Sequence, residues 1–135
     1  MDWKLEVVVI PVSDVDRAKR FYSEQVGFVV DVDHRAGEHF RVVQLTPPGS
    51  ACSITLMGAE NTKSAPGSVA GLQLVVSDIE AARTELVTRG VEVSAIQHFE
   101  DGTPADGRGE AWNSFVFFSD PDGNNWTVQE GPARD

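Results

Sequence analysis

The sequence predicts an α+β fold built from two βαβββ modules, and three observations carry that prediction. An internal repeat comes first: Val12-Ser13-Asp14-Val15-Asp16-Arg17-Ala18 returns as Val76-Ser77-Asp78-Ile79-Glu80-Ala81-Ala82, an offset of 64 residues (78 minus 14). Each copy also follows an apolar, β-branched run and continues as an amphipathic run that stops at a glycine, Gly27 or Gly90. Finally, three strand-like segments follow each amphipathic run. Short β-branched runs read as buried strands and amphipathic runs as helices, so both copies have the same element order.

In chain order, Val7 to Val12 forms the centre of a first strand over about residues 5–12, and a helix follows over about 14–25. Ser13 stands at the expected cap, with Asp16 three residues on to meet the positive end of the helix dipole. Strands over about 27–34, 39–46 and 51–57 complete the module. Gly58 to Ser68 has the small, polar composition of a linker. The second module opens with a strand over about 71–77 and a helix over about 78–89, where Ser77 and Glu80 match the capping box. Strands over about 91–98, 113–119 and 125–130 close it. Phe99 to Ala111 is long, glycine-rich and acidic, the profile of a binding lid or a mobile loop, against the shorter Asp33 to Glu38. Ser119-Asp120-Pro121-Asp122-Gly123-Asn124-Asn125 is a hairpin turn signal, with Pro47-Pro48-Gly49-Ser50 as its counterpart. The expected organisation is one domain over 1–135, with module one about 1–58, a linker about 59–69 and module two about 70–131.

Composition excludes several function classes. The net charge is −10, from 21 acidic and 11 basic residues, so a nucleic-acid backbone or an anionic membrane surface is repelled. Nothing approaches 18 consecutive apolar residues, and the first residues lack the layout of a signal peptide, so a soluble, cytoplasmic protein is expected. Cys52 is the only cysteine, which rules out an internal disulfide and a cysteine-based zinc cluster.

Three motifs resemble the vicinal oxygen chelate superfamily, the glyoxalase, bleomycin-resistance and extradiol-dioxygenase group. They are Pro11-Val12-Ser13-Asp14-Val15-Asp16-Arg17-Ala18-Lys19-Arg20-Phe21-Tyr22 with Val26-Gly27-Phe28, its partial echo at 76–90, and Asp120-Pro121-Asp122-Gly123-Asn124. The resemblance covers nearly the whole chain and implies two modules closing an incomplete barrel around a pocket, in a homodimer. It also implies where enzymes of the group hold a divalent metal: seven residues before the aspartate that opens each helix, and four after each turn glycine. Those positions are Val7, Gly71, Thr127 and, through Gly49, Ser53. Valine and glycine have no donor side chain, and neutral hydroxyls are weak ligands, so no metal or other cofactor is expected.

Strand alternation, placed in the family geometry, turns Val7, Val9 and Pro11 toward the pocket, with Gly71, Gln73 and Val75 from the repeat. Ser53, Thr55, Thr127 and Gln129 join them from the last strands. Gln73 and Gln129 stand out, because an amide inside an apolar strand needs a partner or a ligand. Trp112, Trp126 and Phe115 or Phe117 offer aromatic walls, with core packing as the rival reading for each, and Arg41 offers a contact for an anionic group. His34 and His39, with Glu38, approach each other across a hairpin turn, though an exposed turn favours solvated side chains. His98, near Glu100, Asp101 and Glu110, is the candidate for proton transfer, against an ordinary loop histidine.

These residues predict a small-molecule binding protein with an apolar pocket, amide and hydroxyl contacts and no metal. The alternative is a lyase, isomerase or dioxygenase with displaced active-site residues, with a divalent metal or without one. A third reading is an interaction module whose pocket is filled by its own side chains.

Overall fold

The structure, a computed structural model, describes residues 1–132. It divides into two units. The first comprises Met1–Val69 together with the turn Asp120–Asn124; the second comprises Ala70–Ser119 and the chain from Asn125 onward.

In the first unit the elements are β1 (Val7–Val12), α1 (Val15–Arg20), β2 (Val29–Ala36), β3 (Phe40–Thr46) and β4 (Ser53–Gly58). The strands form an open sheet in the order β1-β4-β3-β2, with β1 parallel to β4 and the other pairs antiparallel. Alternation assigns Ile10, Val12, Val43, Leu45, Ile54 and Leu56 to one face, all buried. Helix α1 packs over β3 and β4, adding Ala18. A π-helical turn over Phe21–Gln25 extends α1, with the Val26 amide reaching the Phe21 carbonyl at 3.0 Å. It puts the consecutive Phe21 and Tyr22 into the core, and Phe28 stacks on Tyr22 at 5.9 Å. Tyr22 is fully buried and satisfies its hydroxyl by donating to Asp120 at 2.8 Å.

The second unit contains β5 (Leu72–Val76), α2 (Ile79–Thr88), β6 (Gln97–Glu100), β7 (Thr103–Asp106), β8 (Phe115–Ser119) and β9 (Asn125–Glu130). Its open sheet runs β5-β9-β8-β6-β7, with β5 parallel to β9. The buried face carries Val116, Phe118, Trp126 and Val128, covered by Ile79 and Leu86 of α2. Helix α2 ends where Gly90 takes a φ of +86°, and the Val91 amide returns to the Leu86 carbonyl at 2.9 Å.

The first unit therefore has the βαβββ order and the second the same order with one further edge strand, with three local corrections. The helix caps are Asp14 and Asp78, whose carboxylates accept from the Arg17 and Ala81 amides at 3.1 and 3.0 Å. Ser13 is not the cap, because its hydroxyl donates to Asp122 at 2.5 Å. The strand expected at 91–98 is reduced to a bridge between Val93 and Phe118, and regular pairing starts at Gln97. The expected lid at Phe99–Ala111 is largely a hairpin: β6 and β7 pair from Gln97↔Asp106 to Glu100↔Thr103, adding an edge strand.

Candidate functional site

Each sheet has a second face, opposite its helix, and these faces carry most of the candidate residues. In the first unit the register places Val7 beside Ser53 and Val9 beside Thr55, with Gln44 next to Thr55 and Val32 next to Gln44. Val7 and Val9 are 40% and 41% exposed, and Val29, Val32 and Phe40 of the same face are also exposed. One end is polar. Thr46 gives its single hydroxyl proton to Asp31, so Ser53, 2.6 Å away, donates to Thr46. Ser53 is thus buried in a side-chain chain and has no proton left to donate.

In the second unit the same alternation gathers Gln73, Val75, Thr127, Gln129, Phe115 and Phe117, because Gln73 pairs with Thr127, Val75 with Gln129, and Phe117 with Thr127. The β6–β7 hairpin brings Phe99 to this face. Phe99 meets Phe115 edge to face at 5.3 Å, and Phe115 lies parallel to Phe117 at 6.3 Å and 9°. Gln73 donates to Gln129 at 2.5 Å, and the Gln129 amide donates to the Trp112 carbonyl at 2.8 Å. Trp112 has a φ of +65°, a conformation rarely taken by a bulky residue. Its indole rests on Gly131, where an added Cβ would stand 2.6 Å from Cζ3 and 2.9 Å from Val75 Cγ1. A cavity of about 290 Å³ adjoins it, lined by Ser77, Ala111, Glu130 and Pro132.

The register also revises one counterpart. Shifting by the 64-residue repeat offset takes the Val9–Thr55 pair onto Gln73 (9 plus 64) and its partner Thr127. Thr55, not Ser53, is therefore the repeat partner of Thr127. Gly71 lies just outside β5 with a φ of +83°. The four positions at which the resemblance puts metal ligands offer one hydroxyl with no partner among the described residues, on Thr127, and one already engaged, on Ser53. Those side chains do not fit a divalent cation. Among the described residues no three His, Cys, Asp or Glu side chains group as a metal site.

The other candidates lie elsewhere. Arg41 is on the helix-bearing face, where it pairs with Asp16 and, through Nη2 and Nε, with Asp33 at 3.0 and 3.2 Å; Lys19 joins Asp33 at 2.7 Å. The guanidinium holds the carboxyl of Asp33 well below the usual range and lowers that of Asp16, and they raise its own pKa in return. Its charge is matched by carboxylates, so it is not free for an anionic ligand. Beside it opens a polar cleft of about 310 Å³ reached by Asp14, Glu38 and His39. His39 pairs with Glu60 at 3.4 Å, whereas His34 is on β2 and meets the edge of Phe40, so the two histidines serve different neighbours. His98 alternates with Phe99 and so points away from the aromatic face. Its Nε2 meets Glu100 and its Nδ1 the Gly107 carbonyl, each at 2.9 Å, and these acceptors raise its pKa, Glu100 most. Cys52 is half-buried and points its thiol at the Ser53 carbonyl. The sequence reading missed Phe99, and the alternation Gln97, Phe99 would have found it had 97–100 been read as a strand.

The family model described as Glyoxalase/Bleomycin resistance protein/Dioxygenase superfamily matches residues 4–128. The chain belongs to this superfamily. It is 31% identical to TnmS3, an antibiotic binding protein from Streptomyces sp. CB03234, covering 98% of both chains with a TM-score of 0.77. A superfamily member from Sphaerobacter thermophilus DSM 20745 is 27% identical over 96% of this chain and 98% of that one, with a TM-score of 0.76. YetH of Bacillus subtilis (strain 168) is 27% identical over 94% of this chain and 98% of its own length.

Proposed function

We propose that the protein binds an aromatic small molecule on the Phe115–Phe117 face of its second unit, without a metal, and acts by holding that molecule rather than transforming it. The observation that carries this reading is the composition of that face: three phenylalanine rings at stacking and edge-on separations beside the hydrogen-bonded Gln73 and Gln129. Flat apolar surface provides affinity, and a few fixed polar groups provide orientation. TnmS3, described as an antibiotic binding protein, supports the same class of ligand. The residues at the metal positions, Val7, Ser53, Gly71 and Thr127, favour metal-free binding.

A homodimer and a cytoplasmic setting belong to the same proposal. Val7, Val9, Val29, Val32 and Phe40 form an exposed apolar surface of a kind that soluble chains usually cover. No helix among the described residues is long and apolar enough to cross a membrane, and the charge of −10 disfavours nucleic acid. The test is a thermal-shift panel of aromatic and polycyclic compounds in the presence of EDTA. Ligands that raise the melting point in EDTA, and fail to do so in Phe117→Asp, support the reading. Stabilisation that requires an added divalent metal would contradict it.

A further inference from the structure

The aromatic face of the second unit has a fixed hydrogen-bonding sense, from which we infer that it selects aromatic ligands bearing a hydrogen-bond donor. This rests on the small-molecule reading above and narrows its ligand class. A backbone carbonyl only accepts, so the Gln129 amide 2.8 Å from the Trp112 oxygen presents its Nε2 there. The Gln129 Oε1 then points at Gln73, which must answer with its own Nε2, at 2.5 Å. Turning the Gln129 amide over would set oxygen against oxygen at Trp112, and turning Gln73 over would do the same at Gln129. The relay therefore leaves the Gln73 Oε1 outward, an obligate acceptor with no protein partner among the described residues, beside the second N–H of each amide nitrogen.

No neighbour donates to that oxygen among the described residues, so only a donor on the ligand pairs it. Thr127, opposite Gln73 in the ladder, has a hydroxyl that donates or accepts, and Phe117 beyond it has no polar atom. The relay is also anchored at its far end, because Trp112 sits in its left-handed backbone conformation against Gly131 and Val75. A ring laid over Phe115 and Phe117 that reaches Gln73 with an O–H or N–H completes the chain of donors. A ring of similar shape without a donor covers the oxygen and leaves it unpaired, which is penalised.

Titration calorimetry with 2-naphthol and 2-methoxynaphthalene, similar ring systems differing in the donor, tests this. Wild type should bind 2-naphthol about tenfold more tightly than the ether. Gln73→Leu should bring the two affinities together. Gln73 is exposed, so this variant should fold, with an unfolding midpoint near wild type. Equal affinities in wild type, or a preference that survives in Gln73→Leu, would overturn the inference while leaving the small-molecule reading intact. Failure of wild type to bind either compound would remove that reading and the inference with it.

Discussion

Asp120 shows how one residue fixes the turn that joins β8 to β9. Its carboxylate is 5% exposed and accepts from the Tyr22 hydroxyl and the Asn124 side chain at 2.8 Å, the Asn124 amide at 2.9 Å and the Asp122 amide at 3.0 Å. Hydrogen bonds to charged groups contribute more than neutral ones, so Tyr22→Phe should lower stability by about 1.5–3 kcal/mol in urea unfolding. No change would mean that the turn holds without it. Gly131 is the second informative residue. Gly131→Ala drives a methyl into the Trp112 ring and should cost about 1–3 kcal/mol with a shift in tryptophan emission. Neither residue's partner was legible in the sequence, because Tyr22 and Asp120 are 98 positions apart and Gly131 meets a tryptophan that no periodicity places.

Among the elements, the strands and helices were read well where the apolar pattern was strong, as in β1, β4, β8 and α2. The caps slipped by one residue because serine and aspartate stand side by side at both helix starts and either can cap. Only the long-range approach of Asp122 takes Ser13 out of the role. The β6–β7 hairpin was misread as a loop, although Asp101-Gly102 is a two-residue hairpin signal and both adopt positive φ, 50° and 80°. Pro104 argued against a strand, yet β7 is an edge, where proline is tolerated. His98 makes this hairpin sensitive to pH. Both ring nitrogens face acceptors, so only the imidazolium satisfies both. Its folded pKa is raised, so its contribution is full below the ordinary histidine value of about 6.5 and is lost as pH rises through the folded value. Amide exchange in Gln97–Asp106 should quicken, beyond the intrinsic base catalysis, as the pH rises above the ordinary histidine value of about 6.5. His98→Gln should remove that added dependence, and an unchanged profile in the variant would refute the role of the two His98 hydrogen bonds.

At the scale of the molecule, the repeat at 12–18 and 76–82 disclosed two modules because each copy must bury the same helix on the same kind of sheet. The candidate faces were legible in part: alternation placed Val7, Val9, Gln73, Thr127 and Gln129 on the faces opposite the helices. It did not show that Arg41 faces the helix side, since Val42 and Val43 are both apolar and only the burial of Val43 and Leu45 fixes the parity of β3. The exposed apolar face of the first unit makes a mass prediction. Light scattering should give twice the 14.6 kDa chain mass, and Val9→Lys should reduce it to one chain. A monomeric wild type would contradict the homodimer. Backbone NMR shift mapping with 2-naphthol in EDTA tests whether aromatic ligands lie on the Phe115–Phe117 face. Saturable shifts should centre on Gln73, Phe115, Phe117, Thr127 and Gln129, with Asp33 and Arg41 unmoved; shifts centred on the polar cleft around Arg41, or none until a divalent metal is added, would contradict binding there without a metal.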